Sequence, residues 1–165
     1  CAISIGLELN GQIIVGAIHN PFTKELFYAS KGNGAFLNGH VIRVSEKEKL
    51  EECLHVAAFS SESDSNKDIE YKIFGEMNNN TRGVLRIGSA ALALGYLACG
   101  RIDGFWTKGL HDWDIAGGLA LVKEAGGQLS NIHGNPFIIG DSTLVASNSY
   151  IHNTLIKNLN LLNQL

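Results

Sequence analysis

Apolar and small or polar residues alternate from Ala2 to Leu9, with Ile3, Ile5, Leu7 and Leu9 on one side and Ala2, Ser4, Gly6 and Glu8 on the other. Asn10-Gly11 and the apolar run Ile13 to Ile18 follow. The pattern predicts a β-hairpin closed by a type I′ turn, because Asn-Gly accepts the positive φ that such a turn demands. Glu25 to Ala29 reads as another strand and Lys31 to Gly34 as a turn. Ala35 to Leu37 and Val41 to Val44 then form a second small hairpin around Asn38-Gly39. The first 45 residues are therefore expected to meander.

The charged segment Ser45 to Glu52 reads as a solvated connection or a short helix, and Leu54 to Phe59 as a short buried strand. Ser60 to Asp64 breaks the pattern; Ser60, Ser61 and Ser63 could line a pocket or simply form a loop. From Ser65 to Met77, Ile69, Ile73 and Met77 recur every four residues, which predicts an amphipathic helix ending in Asn78-Asn79-Asn80. Strands are predicted at Val84 to Ile87, Gly104 to Thr107, Phe137 to Ile139 and Leu144 to Ser147. Helices are predicted at Ala90 to Cys99, stopped by Gly100, at Asp114 to Ala125, stopped by Gly126-Gly127, and along the stripe Ile151, Leu155, Leu159 and Leu162. A meander followed by strand-helix alternation implies one domain, 1–165, of layered α/β or α+β architecture.

Composition narrows the classes of function. Thirteen basic and sixteen acidic residues give a net charge of −3 with no long basic run, so neither direct nucleic-acid binding nor attachment to an acidic membrane surface is expected. No apolar run reaches the length of a membrane span. Cys1, Cys53 and Cys99 make an odd count without a CxxC, which suggests neither a disulfide framework nor a structural zinc site and favours a reducing, cytoplasmic compartment.

Candidate chemistry concentrates in two stretches. Asp114 follows Trp113 at a helix start, with Asp112 two residues earlier. A carboxylate there is either a helix cap favoured by the free backbone amides or an oxygen ligand for a hard cation such as magnesium. Gly88-Ser89-Ala90-Ala91 opens a helix with residues too small to obstruct a ligand; it is either an anion- or hydroxyl-binding helix start or an ordinary Ser cap. Gly117-Gly118 inside a helix predicts close contact with another backbone. No histidines stand at HxxxH spacing, and Lys31-Gly32-Asn33-Gly34 is not a phosphate loop, because it lacks the GxxxxGK[ST] pattern.

WDIAGGLALVKEAGG, preceded by GSAALALGYLACGRIDGF, closely resembles the C-terminal signature of the inositol monophosphatase family of magnesium-dependent, lithium-sensitive phosphatases. SIGLELNGQIIVGAIHNPFTKELFYASKGNGAFLNG resembles the family's segment just after its main metal-binding motif, so the likeness runs from Cys1 to about Ser147. It implies the C-terminal part of a layered αβαβα fold, usually homodimeric, acting on a small phosphorylated substrate with Mg2+. It also implies that Asp114 is the catalytic metal ligand and touches the substrate, and that Gly88, Ser89 and Ala90 contact the substrate through backbone groups. The resemblance departs in two places. The family's GExE and DP[IL]DGT motifs do not occur in residues 1–165 and are expected upstream of Cys1, which leaves Asp114 short of partners and residues 1–165 inactive alone. Inositol-specific relatives often carry a Glu shortly before the WD pair, where it meets sugar hydroxyls; here Thr107, followed by Lys108, occupies that substrate-binding place. Inositol monophosphate is the substrate the resemblance implies, with a sugar bisphosphate, a nucleotide phosphate or histidinol phosphate as alternatives. A non-catalytic module with protein partners is the alternative from another class.

Overall fold

A computed structural model describes residues 1–59 and 67–163; Ser60, Ser61, Ser63, the break through Asp64 and the expected helix start at Ser65 lie outside the described residues. Five strands, β1 (Ile3–Leu9), β2 (Gln12–Asn20), β3 (Glu25–Ser30), β4 (Gly34–Leu37) and β5 (His40–Ile42), form an antiparallel meander in sequence order. The two Asn-Gly turns behave as their chemistry requires: Asn10 and Gly11 have φ of 54° and 76°, and Asn38 and Gly39 have 49° and 85°. The second sheet runs in the order β7 (Gly83–Leu85), β6 (Leu54–Ala58), β8 (Gly104–Lys108), β10 (Thr143–Asn148), β9 (Gly127–Ser130). Its β6 pairs in parallel with both β7 and β8, and β10 pairs antiparallel with β8 and β9.

Four α-helices complete the layers: α1 (Lys67–Asn80), α2 (Ala90–Ala98), α3 (Asp112–Glu124) and α4 (His152–Asn163). One core, with Phe27, Leu94, Leu97, Phe105, Leu121 and Leu144, joins the meander to α2, α3 and the near side of the second sheet. A second, with Met77, Trp106, Val145, Leu155 and Leu159, joins that sheet's far side to α1 and α4. The order is thus β-α-β-α, an α/β layered fold matching the last four layers of αβαβα.

Glycines set the spacing between the first two layers. A Cβ on Gly16 would strike the carbonyl oxygen of Gly117, one on Gly117 would lie 2.6 Å from Ser4 Oγ and 2.8 Å from the Ile5 carbonyl oxygen, and one on Gly118 would strike Leu94. Gly117 therefore marks close contact with the backbone of β1 and β2, as the sequence predicts, whereas Gly118 makes room for a side chain of α2. The alternation in β1 is resolved in favour of its small side: Ser4 and Gly6 face α3, while Ile3, Ile5, Leu7 and Leu9 are each more than half exposed. Across the sheet, Val15, Leu26, Tyr28 and Val41 extend this apolar outer face, which no described element covers.

Several boundaries differ from the sequence reading. Ser45 to Glu52 has no regular secondary structure apart from a 3-10 turn at Leu50–Glu52. β5 ends at Ile42, because Val44 turns its N–H to the Ala125 carbonyl at the end of α3. The expected strand Phe137 to Ile139 does not form; its neighbour Pro136 makes only an isolated bridge with Ser130, and the missed strand β9 takes that edge instead. Gly126, with φ of 89°, stops α3 as expected, but Gly127 starts β9 at once, tucked against Val122 and the Ser147 carbonyl. β7 stops at Leu85, which frees Arg86 and Ile87 from the sheet.

Three buried or partly buried carboxylates hold connections. Asp103 accepts hydrogen bonds from Ser45 Oγ at 2.5 Å, Lys47 Nζ at 2.8 Å and the Leu54 amide at 2.7 Å, which ties the charged connection to the start of β6. Glu124 accepts the Gly32 and Gly34 amides, so the Lys31–Gly34 turn is wrapped around a side chain of α3. Glu25 pairs with Arg101 at 2.5 Å, which holds its carboxyl below the ordinary range.

Two histidines are buried. His55 packs beside Trp106 with neither ring nitrogen hydrogen-bonded, whereas His152 is braced by Ser147 Oγ at 2.7 Å and Ser130 Oγ at 3.0 Å. Burial lowers each pKa from 6.5 to about 4. Between those values the unfolded chain binds more protons than the folded one, so stability falls as pH drops through this window, each histidine contributing a slope that approaches about 1.4 kcal/mol per pH unit. Urea midpoints are expected to fall from pH 7.5 to pH 5, and His55→Phe to flatten that fall; an unchanged slope in the variant would remove His55 as its source. A glycine pair tests the helix seam. Gly117→Ala is expected to destabilise by roughly 1–3 kcal/mol through overpacking, whereas Gly75→Ala in α1, whose added methyl meets no atom within 4 Å, is expected to stabilise by up to about 1 kcal/mol.

Candidate active site

The start of α2, the start of α3 and the C-terminal end of β6 surround one cleft of about 520 Å3, to which β8 contributes Phe105. Ser89 caps α2, its Oγ accepting the Leu92 amide at 3.3 Å, and Gly88 before it holds φ at 74° with open space where a side chain would stand. Gly88, Ser89 and Ala90 all line the cleft, so the first-turn amides of α2, which have no intrahelical acceptor, stand at its wall. The Ser cap and the open helix start are one arrangement rather than alternatives.

Asp114 lines the same cleft. The helix begins two residues before it, at Asp112, with His111 as the cap. Asp114 Oδ2 accepts the His111 amide at 3.2 Å, while Asp112 is turned away and accepts the Gly140 amide at 3.1 Å, pinning the loop before β10. The capping geometry uses one carboxylate oxygen of Asp114, so the cap does not preclude a ligand at the other. Trp113 is 70% exposed at the rim, with the His111 ring stacked on one face at 4.2 Å.

Thr107 is not among the residues that line this cleft; it lines a second cavity of about 360 Å3, with Phe59, Ile73 and Trp106, on whose rim Lys108 also lies. In the alternation of β8 it nevertheless shares the side of Phe105, toward α2 and α3. Its hydroxyl is buried and has no hydrogen-bond partner, an arrangement that costs on the order of 1–3 kcal/mol unless something answers it.

The cleft also holds residues that the sequence does not single out. Phe59 and Ala58 border both cavities, Ser4 forms part of the floor, and Arg86 brings a positive charge to the rim. The one available signal for Arg86 is its place two residues before Gly88, which becomes meaningful only once β7 is known to end at Leu85.

Among the described residues, no three His, Cys, Asp or Glu side chains converge closely enough to hold a metal ion. Asp114 is thus the one carboxylate these residues bring to the cleft. A single oxygen ligand beside open space suits a hard cation that keeps water or substrate oxygens in its other positions, and does not suit an all-protein cage. No described helix is long and apolar enough to cross a membrane.

Comparison with known proteins agrees with this architecture. The family model described as the inositol monophosphatase family matches residues 1–164. An inositol-1-monophosphatase of Mesorhizobium japonicum is 40% identical over 160 residues, 94% of this chain and 59% of the relative. A fructose-1,6-bisphosphatase/inositol-1-monophosphatase of Thermotoga maritima is 38% identical, over 96% of this chain and 60% of the relative. The solved inositol monophosphatase of Anabaena superposes with a TM-score of 0.91 at 38% identity, covering 97% of this chain and 64% of that one. The chain therefore spans about three fifths of the length of the curated relatives it matches. With the match extending over nearly every residue and the same layers in the same order, the chain belongs to the inositol monophosphatase family.

Proposed function

We propose that the protein hydrolyses a small phosphate monoester with magnesium, and that the cleft between α2 and α3 binds the ester. The observation that carries this reading is that Asp114 and the Gly88–Ala90 turn, 24 residues or more apart in sequence, line one cleft. Asp114 would offer magnesium one carboxylate oxygen, its other being held by the His111 amide. The metal supplies activation of the attacking water and neutralisation of charge on the leaving oxygen. The residues of this chain do the positioning: the α2 amides hold the alcohol part, and the Trp113 ring closes one side.

Inositol monophosphate is the first substrate to test, because the Mesorhizobium relative is named for it; the Thermotoga relative is named for a bisphosphate as well. Thr107 enters as a hydroxyl facing the alcohol part of the substrate, supported by its unanswered oxygen on the α3-facing side of β8. The same reading includes a homodimer in the cytoplasm and inhibition by lithium.

Asp114→Asn in the full-length protein is expected to lower kcat/KM for phosphate esters by at least about a hundredfold while leaving the fold intact. Equal rates in variant and parent would remove Asp114 from the mechanism. Residues 1–165 alone are expected to release no phosphate from the same esters, since Asp114 is the only carboxylate that the described residues bring to the cleft. Thr107→Val is expected to raise the melting temperature, by deleting a buried unanswered hydroxyl at constant shape, and to raise KM for hydroxyl-rich esters several-fold, about the value of one hydrogen bond. A raised melting temperature with unchanged KM would make Thr107 a packing residue only.

A further inference from the structure

We propose that Trp113, braced by His111, is a specificity-determining residue of the cleft: the open face of its indole stacks on a saturated ring in the alcohol part of the ester and so favours cyclic over open-chain alcohols. This rests on the reading of the cleft as a phosphatase site and adds to it the group that meets the carbon face of the substrate.

The chain has two tryptophans, and the fold treats them oppositely. Trp106 is 7% exposed in the second core, whereas Trp113 is 70% exposed where it lines the cleft. An indole left in water at the mouth of a cleft is a large apolar surface that a ligand can cover. A freely rotating ring would lose part of that gain on binding, and this one is held. The His111 imidazole lies against one face, with ring centres 4.2 Å apart and planes within 22° of parallel. Among the described residues, no second ring and no cation packs on Trp113.

The stack is tied to the candidate metal ligand through the same turn. His111 donates its backbone N–H to Asp114 Oδ2 at 3.2 Å while its ring braces Trp113. Indole and carboxylate therefore belong to one capping unit, and an ester whose phosphate lies at Asp114 has its alcohol part between the indole and the Gly88–Ala90 turn.

The two sides of that space differ in chemistry. First-turn amides of α2 donate hydrogen bonds and suit hydroxyls. The indole face is electron-rich, so it suits C–H groups and not oxyanions. A saturated polyol ring answers both sides, because its hydroxyls point outward around the rim while C–H bonds project from its two faces. An open-chain polyol with the same hydroxyls has no fixed carbon face and gives up torsional freedom to lie flat. The stacking is the same before and after the ester bond breaks, so it belongs to binding and not to the chemical step.

The test uses the full-length protein with magnesium and two esters that share one reacting phosphate and nearly the same hydroxyls: inositol monophosphate and an open-chain hexitol monophosphate. Trp113→Ala is expected to raise KM for the cyclic ester by about three- to tenfold, while KM for the open-chain ester and both kcat values stay within about twofold. Trp113→Phe keeps a smaller aromatic face and is expected to fall between. His111→Ala keeps the capping amide and removes the brace, so the cyclic KM is expected to rise by less; an unchanged value there overturns the part given to His111. An ester that the parent binds without hydrolysing is compared by its inhibition constant in place of KM. Equal KM shifts for the two esters, or none, overturn the proposal while leaving the phosphatase reading standing. A fall in kcat for both esters at unchanged KM also overturns it, since the indole would then act only by placing Asp114. If the parent hydrolyses neither ester, the phosphatase reading fails by itself, and calorimetric titration with inositol monophosphate decides Trp113: weaker binding to Trp113→Ala upholds the proposal, and equal affinity, or no binding to the parent, overturns it.

Discussion

The contact on which the site depends is the one between the backbone of α3 and the strands beneath it. At Gly117 the helix meets the Ile5 carbonyl and Ser4 Oγ, Gly16 approaches the Gly117 carbonyl from below, and Gly118 receives Leu94 from α2. Atoms this close leave almost no freedom of height or rotation. Asp114 is three residues before Gly117, nearly on the same face of the helix, so the seam fixes its carboxylate as firmly as it fixes the glycine. Leu94 is five residues after Ser89 on α2, so the same seam also sets where the Gly88–Ala90 turn enters the cleft. Both halves of the site are positioned by one run of methyl-free backbone.

Acidic residues elsewhere show why position, and not abundance, makes Asp114 the candidate ligand. Asp103 is spent on Ser45, Lys47 and Leu54, Glu124 on two glycine amides, Glu25 on Arg101, and Asp112 on Gly140. Asp103, Glu124 and Asp112 answer backbone donors that would otherwise go unpaired, and Glu25 answers a guanidinium, which are the usual conditions for placing a carboxylate away from water. Asp114 shares this habit through His111, and does so at the wall of the cleft between α2 and α3. The Asp-x-Asp spacing at residues 112 and 114 turns the two side chains in different directions, one to fasten a loop and one to line the cleft.

Much of the fold is legible because local chemistry decides it: Asn-Gly forces positive φ, Gly126 ends α3, and a Gly-Gly pair inside a helix marks a close approach, by strand backbone at Gly117 and by a side chain at Gly118. The Phe137 to Ile139 strand fails because an apolar triplet reads the same whether it pairs or merely covers a core, and β9 is missed because Gly127 serves as helix stop and strand start together. In β1 the alternation is visible but its sense is not. Apolar residues ordinarily face inward, yet here close packing of α3 needs Ser4 and Gly6 on the inside, which leaves Ile3, Ile5, Leu7 and Leu9 outward. In the site, Asp114 and the Gly88–Ala90 turn can be named from sequence, because helix starts carry recognisable residues. Phe59 and Arg86 cannot, because they reach the cleft only through the ends of β6 and β7, and nothing in the sequence shows that Thr107 lines the second cavity instead.

The two walls of the cleft differ in how they are held, and that difference sets how each answers a substitution. The Asp114 wall is a thirteen-residue helix in backbone contact with a sheet. The Arg86 wall follows β7, a three-residue edge strand kept in place by parallel pairing to β6, by Asn78 accepting the Val84 amide and by Thr81 accepting the Gly83 amide. A change at residue 86 or 87 therefore disturbs little beyond its own side chain, whereas a change at Gly117 or Gly118 moves the carboxylate. Short edge segments beside a rigid scaffold are where binding preferences alter at least cost to stability. A fold arranged this way can hold Asp114 fixed while side chains at positions 86 and 87 change, because the edge segment that carries them takes no part in the glycine seam.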